Sequence, residues 1–144
     1  MPHLVILYTP NLDSKTDMTA LCRALADTLL AQRDEAGQPV FPTGGTRVLA
    51  YPAAHYAVAD GGAAGIAAGG SGEYAFIYLN VRMAAGRSQA VQKKVGESIL
   101  ASAQTHLASV FAQHHIGMTV QVDEGAQAYD GKHSTLHPLF QHQS

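Results

Sequence analysis

The chain has 144 residues, 47% of them hydrophobic and only 14% charged, and nine Lys and Arg against eleven Asp and Glu give a formal charge of -2. That length suits one domain over 1–144 with a packed core, and the charge balance leaves no basic stripe to neutralise nucleic-acid phosphates or anionic lipid. Cys22 is the single cysteine and cannot form an internal disulfide, no apolar run reaches membrane-spanning length, and Met1-Pro2-His3 lacks the basic start of a secretory signal, so a reduced, soluble, cytoplasmic protein is expected.

Residues 3–8 (HLVILY) are almost continuously apolar, which suits a short strand buried on both faces. Ser14 followed by Asp17 predicts a capping box, and Met18, Leu21, Cys22, Leu25 and Leu29 recur at helical spacing, predicting a helix to about Arg33. After the turn-rich 37–45 (GQPVFPTGG), residues 46–59 read as a long strand interrupted by Pro52. The glycine-dense 60–72 (DGGAAGIAAGGSG) reads as a mobile connection, because each glycine raises the entropy cost of a fixed conformation. Residues 74–83 (YAFIYLNVRM) alternate as a strand. Ser88 can cap a second helix whose stripe is Val91, Val95, Ile99, Ser102, His106 and Val110, and 117–122 alternate as a fourth strand.

The result is an α/β (α+β) pattern, β-α-β-β-α-β, made of two similar β-α-β halves at about 2–59 and 73–124. Parallel strands within each half require a crossover helix. Two helices cover one face of a four-stranded sheet, while the strands are apolar on both faces, so the other face must be covered by a neighbouring subunit. The tail, 125–144, is largely polar with a short apolar knot at Leu139 and Phe140, and is expected to pack on a neighbour as well.

Removal of Met1 before the small Pro2 leaves a secondary amine at the start of a buried strand. Burial or nearby cations lower an α-amino pKa from its ordinary 7.7 to 8.0, giving a neutral base suited to proton transfer near pH 7.

Met1-Pro2-His3, Asn11-Leu12, the run Phe41-Pro42-Thr43-Gly44-Gly45-Thr46-Arg47, Ala59-Asp60-Gly61, Tyr74-Ala75-Phe76 and Ala85-Gly86-Arg87-Ser88 stand in an ordered set. In this order and spacing the chain resembles the 5-carboxymethyl-2-hydroxymuconate Δ-isomerases of the tautomerase superfamily. The resemblance implies a homotrimer without metal or organic cofactor, acting in bacterial breakdown of homoprotocatechuate. It assigns the catalytic amine to Pro2 and substrate contacts to Arg47 and Arg87. Both arginines also fit a carboxylate substrate, since guanidinium offers planar bidentate donors and Arg87 precedes a helix start, where anions are favoured. The implied reaction takes the 2-hydroxyl proton to Pro2 and returns it to a carbon of the conjugated dienol, with the arginines stabilising the dienolate. Where the family commonly has a glutamate on the first strand, this chain has Leu7.

Two other readings stand beside it: a Pro2-dependent keto-enol tautomerase for a phenylpyruvate-like compound, and a trimeric binding protein that retains Met1. His114, His115, His133, His137 and His142 lack a carboxylate or cysteine at ligand spacing and are read as solvated. Residues 61–72 lack the ending of a phosphate-binding P-loop. Cys22 lies on a helical apolar stripe and is read as a small buried hydrophobe.

Overall fold

A computed structural model describes residues 1–141. Strands β1 (His3–Tyr8), β2 (Arg47–Pro52), β3 (Tyr74–Ala84) and β4 (His115–Gly125) form one mixed sheet in the order β2-β1-β3-β4. β1 runs parallel to β2 and β3 runs parallel to β4, as crossover units require, and the two pairs meet antiparallel with His3 opposite Arg82. Helices α1 (Met18–Leu30) and α3 (Gln89–His106) contact each other and pack on one face of the sheet. The core is the alternate residues Leu4 and Ile6 of β1 and Ile77, Leu79 and Val81 of β3, closed by Leu21, Leu25, Leu29, Val95 and Ile99 from the helices, all fully buried.

Several boundaries differ from the sequence reading for local reasons. The cap of α1 is Asp17, whose carboxylate accepts the Ala20 N–H at 3.0 Å, while the Ser14 hydroxyl turns back to the Asn11 carbonyl. α1 stops at Leu30, short of Arg33, because the chain reverses there and pairs Arg33 with Pro39. β2 ends at Pro52, well before 59, since proline has no N–H to extend the ladder. The buried stripe of the second long helix passes from Ile99 to Ala103 and Leu107; Ser102 and His106 stay partly exposed, and a break at Leu107 starts α4 (Ala108–Gln113).

The glycine-dense segment is ordered, which corrects its reading as a mobile connection. It contains α2 (Ala63–Ala67), whose first turn is held by the Asp60 carboxylate accepting N–H groups of Gly62 and Ala64 at 3.0 Å each. Gly62 has φ +107, and a Cβ there would stand 2.1 Å from the Gly72 carbonyl oxygen. Glycine here permits close backbone crossing as well as an otherwise strained conformation.

The sheet face away from α1 and α3 is divided. Toward β2 it is apolar and open, with Leu7, Leu49 and Tyr51 each about half exposed. Toward β4 it is polar: Asn80, 2% exposed, donates to Asp123 at 2.8 Å and accepts from Arg82 Nε at 2.7 Å. The tail returns to its own chain: the 3-10 turn His137–Phe140 sits on another at Thr43–Gly45, so this contact is made within the subunit.

Candidate active site

Pro2 is buried at the head of β1, and its carbonyl accepts the Arg47 N–H at 3.2 Å. What brings these two together is the turn before β2. Gly45 N–H bonds the Pro42 carbonyl at 3.2 Å and the Thr46 hydroxyl donates to the same oxygen at 3.0 Å. A Cβ on Gly45 would lie 3.3 Å from both the nitrogen and the carbonyl oxygen of Met1, so the missing side chain lets the amino end close against the turn. Arg47 then opens β2 directly beside His3, with its Nη1 donating to the Gly45 carbonyl at 3.3 Å. The Phe-Pro-Thr-Gly-Gly-Thr-Arg run is therefore a local device that delivers a guanidinium to the first residues of the chain.

The electrostatics at this end are cationic. The Met1 amine is held below the ordinary α-amino range, first by burial, then by Arg47, with Lys132 and Arg87 acting the same way and Asp130 opposing them. His3 is lowered by burial, then by the positive amine and by Arg47 and Arg82. Asp130, hydrogen-bonded to Lys132, is held below the usual carboxylate range. An amine in these surroundings loses its proton more readily than a free one, and the same cations attract carboxylates.

Arg87 stands just before Ser88, the N-cap of α3, whose hydroxyl accepts the Val91 N–H at 3.2 Å. Its Nη1 and Nη2 donate to the carbonyls of Ala84 at 3.1 Å and Val40 at 2.9 Å, and its Cζ lies 5.6 Å from the Phe41 ring centroid. Two of the five N–H donors of this guanidinium thus tie the β3–α3 turn to the segment leading into the Gly44-Gly45 turn. The adjacent cleft, about 290 Å³, is partly lined by Asp34 and Glu35, so Arg87 faces acidic as well as open surroundings.

A cavity of about 480 Å³ beside Arg47 is lined by Cys22, Gly44 and Val48 and by Leu136 and Phe140 of the tail. Cys22 is half-buried rather than enclosed, and burial raises its thiol pKa. Another cavity, about 520 Å³, lies at the opposite end of the sheet around Tyr74, Phe111, His114 and His115. Among the described residues no three His, Cys, Asp or Glu side chains gather as a metal-ligand set; His142 lies outside them.

Sequence reasoning placed Pro2, Arg47 and Arg87, and all three come to one end of the sheet. It passed over His3 and Asp130. His3 was readable from strand parity, since it neighbours Pro2, but nothing in local spacing couples Asp130 to residue 1.

The family model for 5-carboxymethyl-2-hydroxymuconate isomerase matches residues 2–140. A solved structure of a 5-carboxymethyl-2-hydroxymuconate delta-isomerase is 60% identical, with a TM-score of 0.95 over 98% of this chain and 93% of that one. The Escherichia coli 5-carboxymethyl-2-hydroxymuconate Delta-isomerase is 23% identical over 140 residues, covering 97% of this chain and 99% of the relative. The fold extends further: a structure named "Q0 fused 4-OT wild type symmetric trimer" is 20% identical and superposes with a TM-score of 0.55 over 91% of both chains.

Proposed function

Since the chain belongs to the 5-carboxymethyl-2-hydroxymuconate isomerase family, we propose that it is a cofactor-independent isomerase of an unsaturated 2-hydroxy polycarboxylate, with Pro2 as the base. Loss of Met1 converts the Pro2 nitrogen from an amide into a secondary amine. That amine accepts the 2-hydroxyl proton; the O–H electrons become the new carbonyl bond, the conjugated double bonds shift, and the proton is returned to a carbon further along the same dienol. No electron or atom is gained overall. Arg47 binds a carboxylate and stabilises the dienolate, and Arg87 supplies a second cation from the start of α3.

The observation that carries this reading is the cationic, partly buried setting of the amino end: burial and Arg47 lower the Met1 amine, and Pro2, one residue further along, is buried beside the same Arg47, whose N–H its carbonyl accepts at 3.2 Å. A neutral amine beside fixed positive charges is what both proton abstraction and dienolate stabilisation require. The assembly proposed is a homotrimer whose apolar contact surface includes Leu7, Leu49 and Tyr51, half exposed on the uncovered sheet face. It is supported by the trimer described for the fold relative above. Among the described residues no helix is long and apolar enough to cross a membrane, and a cytoplasmic location accords with this.

The test combines mass and rate. Intact mass is expected to show loss of Met1, and an ultraviolet assay of dienol ketonisation is expected to show turnover that falls about 10²-fold or more in Pro2→Ala. Retained Met1 together with no turnover supports a binding protein instead. Turnover of only phenylpyruvate-like enols shifts the substrate to a general keto-enol compound.

A further inference from the structure

We propose that Arg82, on β3, is a further substrate-anchoring residue, and that the buried Asn80 aims its guanidinium at a carboxylate of the ligand Arg47 holds from the other side of His3. This rests on the isomerase reading above and adds two residues to it, one that touches substrate and one that positions the first.

The strand register places Arg82 at the amino end. His3 of β1 pairs with Arg47 of β2 on one side and with Arg82 of β3 on the other, and Arg82 pairs in turn with Asp123 of β4. Residues paired across a sheet project on the same face, so these four side chains form one row. The face is the one away from α1 and α3, because the alternate residues Leu4, Val81 and Met83 are buried in the core. Adjacent strands lie about 4.8 Å apart, which puts the backbones of Arg47 and Arg82 roughly 10 Å from each other with His3 between them. Two long side chains can close that gap on a single small ligand. The row is also the first rung of β1 and β2, immediately after Pro2. The apolar patch of Leu49, Leu7 and Tyr51 lies two to four residues further along the same strands, so a subunit seated on that patch leaves the row at its rim.

The guanidinium of Arg82 is held by one edge and open at the other. Its Nε donates to Asn80 Oδ1 at 2.7 Å, while Asn80 Nδ2 donates to Asp123 Oδ2 at 2.8 Å. Asn80 is 2% exposed, and burying an amide costs stability unless both its ends are bonded, so this network fixes the orientation of the amide and, through it, of the guanidinium. Asp123 stands opposite Arg82 yet forms no ion pair with it among the described residues; it holds the amide instead. The Nη groups of the exposed Arg82 likewise bond nothing among the described residues, whereas Arg87 directs its two Nη groups at the carbonyls of Ala84 and Val40. A pre-aimed guanidinium with a free edge is suited to charge-assisted capture of a carboxylate.

The experiment measures kcat and KM for 5-carboxymethyl-2-hydroxymuconate in wild type, Arg82→Gln, Arg82→Lys, Asn80→Leu and the Asn80→Leu/Arg82→Gln pair, with light scattering and thermal unfolding of each. Arg82→Gln is expected to raise KM about 10-fold or more with kcat little changed, and Arg82→Lys to recover part of the loss. Asn80→Leu is expected to raise KM less, and to add nothing once Arg82 is gone, because it acts through the guanidinium. An additive effect overturns the positioning role. An unchanged KM in Arg82→Gln overturns the proposal, and so does a raised KM accompanied by a smaller assembled mass, which makes Arg82 a subunit contact. If wild type does not ketonise the dienol, the isomerase reading fails, and calorimetric binding of glutarate decides the role of Arg82. Binding about 10-fold weaker in Arg82→Gln supports it, and equal binding or none in either protein overturns it.

Discussion

The two β-α-β units of the chain share a plan and differ in length, and the difference locates the chemistry. β1 and β2 have six residues each, whereas β3 and β4 have eleven and pair along their whole length. β1 covers only Ile77 to Arg82 of β3, so the sheet is stepped at both ends of the shorter unit. One step is filled by bonds to β3 carbonyls, with the Thr9 N–H on Phe76 and the Asn11 side-chain amide on Tyr74. The other is filled by Pro2, the Gly44-Gly45 turn, Arg47 and the tail. The longer unit supplies a regular framework, and the proposed site occupies space left where the shorter one falls short of it.

This division makes a sharp contrast between two substitutions. Pro2→Ala is expected to lower kcat by about 10² to 10⁴-fold while leaving thermal unfolding close to wild type. Ile99→Ala, in fully buried α3 packing, is expected to lower stability by about 2 to 5 kcal/mol, with the folded fraction keeping its kcat. Denaturant unfolding beside single-substrate kinetics checks both. If Ile99→Ala removed kcat at full folding, the separation of framework from site would be broken.

Next in size is assembly. Replacing Leu49 and Tyr51 together by Lys puts two charges on the open apolar side of the sheet, and light scattering is expected to report a smaller species than wild type. An unchanged mass would move the subunit contact to another surface.

The same contrast explains what the sequence made legible. Strand β3 and the Val91-Val95-Ile99 stripe were readable because long, regularly periodic segments decide their own structure. Pro2 was singled out by the Met-Pro start, and Arg47 and Arg87 by the family resemblance, each arginine following glycine in its motif. The contact of the tail with its own chain was not legible because His137 meets Gly44 across some ninety residues, a pairing that no local period encodes. The glycine-rich segment misled for a different reason. Glycine lowers the propensity for order, yet Gly62 and Gly65 are present because backbone passes so close: a Cβ on Gly65 would stand 2.5 Å from the Ser71 oxygen, and its N–H reaches the Tyr74 hydroxyl at 3.0 Å. Composition records the cost of ordering and not the contacts that offset it.

Gly62→Ala tests that point. It combines a left-handed φ with a backbone overlap, so destabilisation of about 1 to 3 kcal/mol is expected, with protection of α2 amides lost in hydrogen exchange before that of β3. Gly61→Ala is the milder control: its φ is +73, but a Cβ there meets nothing within 4 Å. Equal effects of the two would mean that backbone conformation alone, and not the close crossing with Gly72, requires glycine here.

The smallest effect expected is in the pH profile, and its sign separates the charges around the amino end. A base acts when neutral, so kcat/KM rises with pH through the base's pKa in the free enzyme. At the amino end Arg47 pushes the Met1 amine down and Asp130 pushes it up, and the Pro2 amine left by loss of Met1 sits beside the same Arg47. Arg47→Ala therefore moves the acidic limb to higher pH, and Asp130→Asn moves it to lower pH, both movements shrinking at high salt. Opposite movement in the two variants ties the limb to a group that feels both charges. Because His3 shares these neighbours, the profile of residual activity in Pro2→Ala is needed beside them: a limb that stays at its wild-type position there would assign it to His3, and one that disappears assigns it to the amine.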